Sequence, residues 1–81
     1  EVKEADYPIN ITIFEKLNTY RDNKAIELDK NKWNIYTNKV RDTISRIIPK
    51  NKAELDNIKG VGTKFMENYS DDILKIINET I

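Results

Sequence analysis

"LDNIKGVGTKFMENYSDDIL", Leu55 to Leu74, holds both glycines of an 81-residue chain, Gly60 and Gly62, two positions apart. Leu55 and Ile58 before them, and Phe65, Met66 and Tyr69 after them, keep the three-and-four spacing of a helix with one apolar face. The pattern predicts helix, hairpin, helix, with the glycines forming a turn that residues bearing a Cβ would resist.

Upstream of the turn, Asn51 and Glu54 stand at capping-box spacing and open a short helix through Leu55 to Ile58. Pro49 ends the helix before it, which starts near Asn38 and turns Val40, Ile44, Ile47 and Ile48 inward. Downstream, a short helix from Thr63 to Tyr69 is expected. Ser70 should then cap a final helix with Asp71 and Asp72 in its first turn, where the macrodipole favours negative charge. Ile73, Leu74, Ile76 and Ile77 supply that helix's buried side.

In the N-terminal half, "TIFE" places Thr12 three residues before Glu15, a second capping box. The first helix is expected from Thr12, with Ile13, Leu17, Tyr20, Ala25 and Leu28 on its apolar face and Asn31 marking its end. "NKWNIYTN", residues 31–38, breaks the period and reads as a connection or a single turn that presents aromatic residues. Residues 1–11 have no helical period and contain Pro8, so they are expected to be a linker or a tail packed on the surface. No strand pattern or repeat emerges. The expected fold is all-α, a compact bundle of about five short helices over residues 12–81.

Composition removes whole classes of chemistry. With no cysteine and no histidine, disulfides, thiolate or imidazole metal sites and histidine-based acid–base catalysis are unavailable. No apolar run approaches the ~20 residues of a membrane span, and no signal-peptide core precedes the domain, so an intracellular, cytoplasmic setting is expected. Net charge is zero but unevenly spread. Residues 1–29 carry four Lys/Arg against seven Asp/Glu, residues 30–64 nine against three, and residues 65–81 one against four. A basic middle suits weak local binding of a polyanion, not the broad basic face of a tight DNA binder.

The stretch "PKNKAELDNIKGVGTKFMENYSDDILKII", residues 49–77, resembles the helicase-and-RNase-D C-terminal (HRDC) domain family. The shared pattern is a proline, a capped short helix, an apolar residue two before a Gly-Val-Gly turn, then a tyrosine and an acidic helix start. "IFEKLNTYRDNKA" is similar to that family's first helix, with Ile13, Leu17, Arg21 and Ala25 at its intervals, and the resemblance extends over residues 12–79. It implies an accessory module without catalytic activity or cofactor, attached most often to RecQ-type DNA helicases or RNase D-type exonucleases. Such a module would act as a monomer that helps its parent hold single-stranded or partly duplex DNA. The alternative is a protein-interaction module that docks on the helicase core of the same chain.

The candidate contacts follow. Trp33 lies in a polar break after Lys30 and Lys32, and the resemblance implies an exposed aromatic there on which a base can stack. The competing expectation is that its indole folds back as a lid on a small core. Tyr36 and Arg21 are expected to serve packing. Lys30, Lys32, Lys39, Lys59 and Lys64 are the expected phosphate contacts. Gly60 and Gly62 are expected to build the hairpin first and to offer backbone N–H groups to a phosphate second. Asp71 and Asp72 diverge by ~100° on a helix, so capping accounts for them better than a metal pair does.

Overall fold

The computed structural model describes residues 7–81, so the first six residues of the expected N-terminal extension lie outside the described part. Five helices follow one another: α1 (Ile11–Leu28), α2 (Lys32–Ile35), α3 (Asn38–Ile47), α4 (Lys52–Asp56) and α5 (Thr63–Thr80). The described residues contain no strand. The expected number of helices is found, but the chain is divided differently. The aromatic break is itself a one-turn helix, α2, and the two helices expected after the hairpin are one.

That second difference has a local cause. Ser70 does not cap a new helix. Its hydroxyl donates to the Met66 carbonyl, 2.5 Å away and four residues back within α5, and the residue is buried. Serine is a good cap only where the backbone leaves the helix, and here nothing interrupts the apolar ridge of Phe65, Tyr69, Ile73 and Ile77. Asp71 and Asp72 are therefore mid-helix residues with partners on other helices. Lys52 pairs with Asp71 at 3.0 Å, and the Tyr20 hydroxyl donates to Asp72 at 2.8 Å.

The first helix begins one residue earlier than expected, and its cap is Asn10. The Asn10 Oδ1 accepts the Ile13 N–H at 3.0 Å and so fills the capping role that the sequence pattern assigns to Thr12. Asn10 is also fixed from behind, because its own N–H donates to the Ser45 carbonyl at 2.9 Å. The helix ends at Leu28, with Asp29 rather than Asn31 closing it in the left-handed conformation (φ 54°). Leu28 consequently sits in a terminal turn and is exposed. The Asn51–Glu54 cap of α4 is formed as expected, at 2.9 Å.

α1 packs against α2, α3 and α5, and α4 packs against α5. The core lies between them: Ile13, Leu17, Ala25, Ile35, Tyr36, Val40, Ile44, Leu55, Ile58, Phe65, Tyr69, Ile73 and Ile77. Ile47, expected inside, is exposed at the end of α3. The chain leaves that helix through Ile48, a β-branched residue at φ 55°, ahead of the buried Pro49. The proline disfavours a further helical turn, and the chain leaves through a left-handed step with Ile47 exposed while Ile44 and Ser45 of the same turn stay buried.

Candidate nucleic-acid interface

Four residues cannot hold a helix by propensity alone, so α2 is held in place from outside. Ile35 and Tyr36 are buried beneath it. The Tyr36 hydroxyl donates to the Leu17 carbonyl of α1, and the Tyr36 ring meets Phe65 of α5 edge-on with centroids 5.8 Å apart. Burial holds the Tyr36 phenol well above its ordinary pKa, partly opposed by the cations Arg21 and Arg41. With two of its side chains committed inward, the turn leaves Trp33 outward. The indole is 60 % exposed, which excludes a lid on the core. Lys30 and Lys32 beside it are exposed as well.

The hairpin divides its two glycines between different tasks. Gly60 has φ 98°, and a Cβ placed there would lie 2.9 Å from Val40 Cγ2. Gly62 has φ −115° and open space around it, so its backbone is one that any residue adopts. The expectation that both glycines are required by the turn is therefore met only at Gly60. Gly62 is the N-cap of α5, without a side chain to occupy the helix end.

Two contacts bring the separate candidates to one end of the bundle. Gly60 against Val40 sets the hairpin beside the start of α3, and Tyr36 against Phe65 sets the end of α2 beside the start of α5. Lys39 precedes Val40, Lys59 precedes Gly60 and Lys64 precedes Phe65, so their backbones share this end with the Trp33 turn. All five candidate lysines are exposed, and none forms an ion pair among the described residues. By contrast Lys24, Arg41 and Lys52 are matched with Glu27, Asp42 and Asp71.

A model of the HRDC domain matches residues 11–77. The chain belongs to the HRDC domain family. HRDC domains are non-catalytic accessory domains of helicases and RNases. No curated protein and no solved structure matches this chain.

Within this HRDC domain Arg21 does more than stabilise packing in general. It is 1 % exposed, and its guanidinium donates to the Tyr36 carbonyl at 3.0 Å, to Asn38 Oδ1 at 2.9 Å and to Asn18 Oδ1 at 3.3 Å. Asn18 Oδ1 also accepts from Arg41 at 3.1 Å, and Arg41 lies over the Phe14 ring. Sequence reasoning missed Asn18, Asn38 and Arg41. Asn18 stands three residues before Arg21, a signal that was available. Nothing local marks Asn38, whose role depends on how α3 meets α1. Among the described residues no cluster of acidic side chains could hold a metal ion, and no helix is long and apolar enough to cross a membrane.

Proposed function

We propose that this HRDC domain weakly holds single-stranded or partly duplex DNA for a larger DNA helicase, of the RecQ type. Trp33 stacks on a base, and Lys30, Lys32, Lys39, Lys59 and Lys64 meet phosphates. The observation that carries this is the indole's 60 % exposure on a turn whose other apolar side chains, Ile35 and Tyr36, are buried. An exposed aromatic beside unpaired cations is the arrangement that binds a flexible strand without reading its sequence. Gly62 adds an uncovered helix start at the same end, though Gly60 is spent on the turn itself. The tether to the helicase raises the local concentration of the domain at the strand, so weak contacts suffice.

Titration of the domain with a labelled oligothymidylate tests this. Binding should have a Kd that is roughly micromolar or weaker at physiological salt, and should weaken with added salt by a few ion equivalents. Affinity indifferent to salt would remove the lysines from the proposal. A second reading has one observation in its favour, the zero net charge: the domain docks on the helicase core of the same chain and regulates it. Absence of oligonucleotide binding even at low salt would favour that reading.

A further inference from the structure

We propose that Arg21 is the positioning residue that aims the Trp33 turn, so that nucleic-acid affinity depends on a guanidinium that meets no ligand. The affinity part of this rests on Trp33 being the stacking platform; the positioning part does not.

α2 has little to hold itself. Its N-cap, Asn31, makes no side-chain capping bond. Its single turn is closed by a 2.9 Å bond from the Asn34 N–H to the Asn31 carbonyl at its start, but the bond at its end, from the Tyr36 N–H to the Lys32 carbonyl, is 3.4 Å long. Beyond it the chain runs extended through Tyr36 and Thr37 into α3. Arg21 grips both sides of this link at once. One nitrogen donates to the Tyr36 carbonyl at the end of α2, and the other to Asn38, the first residue of α3. The planar fork of a guanidinium reaches the two acceptors from two nitrogens held in fixed geometry, whereas the donors of lysine all sit on one nitrogen.

A core would not otherwise favour this side chain. Arg21 is nearly fully buried, its three acceptors are neutral, and it forms no ion pair among the described residues. Its Nε has no hydrogen-bond partner. Burial of a cation with an orphan donor is costly, and a methionine of similar length would fill the space with less penalty. A methionine could not reach the Tyr36 carbonyl. Trp33 lies three residues before that carbonyl on the same turn, so releasing the grip frees the indole to move.

The test compares Arg21→Met, Arg21→Lys and the unaltered domain, each first checked for helix content by circular dichroism. Trp33 is the only tryptophan, so its fluorescence anisotropy reports the turn directly in the free domain. Arg21→Met should lower that anisotropy and weaken oligothymidylate binding roughly tenfold, the share one stacked base supplies. A further Trp33→Ala change should then alter affinity little. Arg21→Lys, which keeps the charge and one bond, should fall between; a purely electrostatic role would leave it unchanged. If Arg21→Met does not fold, Asn38→Ala removes one of the Arg21 bonds without emptying the core, and lowered anisotropy there supports the proposal. Unaltered anisotropy in the folded variant overturns it. If the unaltered domain binds no oligonucleotide, the DNA-binding function fails, and the anisotropy still decides the role of Arg21.

Discussion

Gly60 faces Val40 so closely that a Cβ on the glycine would stand 2.9 Å from Val40 Cγ2. The contact ties the hairpin to α3, and the glycine reaches it at φ 98°, where an L side chain is strained whatever the space.

Gly60→Ala should therefore destabilise the domain by about 1–3 kcal/mol, the cost of a side chain in a sparsely populated backbone region. Gly62→Ala should leave stability within about 0.5 kcal/mol, as an exposed change at ordinary φ does. In a domain of this size each kcal/mol moves Tm by roughly 4–8 °C, so thermal unfolding separates the two variants. Equal losses would mean that Gly62 is also under strain.

Ser70→Ala tests whether α5 is continuous. Inside a helix the change replaces a back-bonded serine with the best helix former and should be neutral or stabilising by up to about 0.5 kcal/mol. Were Ser70 the cap of a separate helix, the same change would cost ~1 kcal/mol. Asn51→Ala supplies the comparison, because Asn51 does cap α4, and there a loss of about 1 kcal/mol is expected in urea unfolding.

Ser70 also shows where sequence patterns carry the fold and where they stop. The hairpin was legible because glycine, proline and the Asn51–Glu54 cap act within a few residues, and those local causes dominate there. "YSDD" offered the same local signal at Ser70, but the ridge from Phe65 to Ile77 is buried along its whole length and holds the helix together. Tertiary burial outweighs a cap worth about 1 kcal/mol. At the candidate site, Trp33 and the lysines were visible as residue types in a polar break. That the backbones carrying Lys39, Lys59 and Lys64 share one end with the Trp33 turn was not, since it depends on Val40 meeting Gly60 and Tyr36 meeting Phe65 across the bundle.

Stability should fall at alkaline pH, and Tyr36 gives the reason. Its phenol is held above its ordinary pKa chiefly by burial, and the half-buried Tyr20 is shifted the same way by burial and by Asp72. A raised folded-state pKa contributes stability that is complete below the unfolded value of about 10. It is lost as pH rises beyond that, because the unfolded chain ionises while the folded one resists. The slope approaches ~1.4 kcal/mol per pH unit for Tyr36, with a smaller share from solvent-screened Tyr20. Urea midpoints between pH 8 and 11 should show this decline, and Tyr36→Phe should flatten it. An equally steep decline in that variant would assign the effect elsewhere.

Asn18 accepts from both Arg21 and Arg41 through one amide oxygen. Asn18→Asp would put a carboxylate between two guanidiniums, one of them buried without any anionic partner. Hydrogen bonds to a charged group contribute ~1.5–3 kcal/mol where neutral ones contribute ~0.5–1.5, so the substitution should stabilise the domain by about 1 kcal/mol at pH 7. Denaturant unfolding measures it directly. A loss of stability would mean that the desolvation of the new carboxylate exceeds what the two arginines return.

Trp33 is the residue on which DNA binding depends most. At 60 % exposure its emission in the free domain should be that of a wet indole, readily quenched by acrylamide. Single-stranded oligonucleotide should shift or quench that emission and shield it from acrylamide. Trp33→Ala should remove about 1–3 kcal/mol of binding, as loss of one base-stacking aromatic does. The same change should leave stability within about 0.5 kcal/mol, because little of the indole is in the core. Truncation of a tryptophan that sealed the core would instead cost about 3–5 kcal/mol, enough to unfold so small a domain. The two effects are read on one variant, by titration and by thermal unfolding. Intact stability with intact binding would remove Trp33 from the interface and leave the lysines alone to explain any affinity.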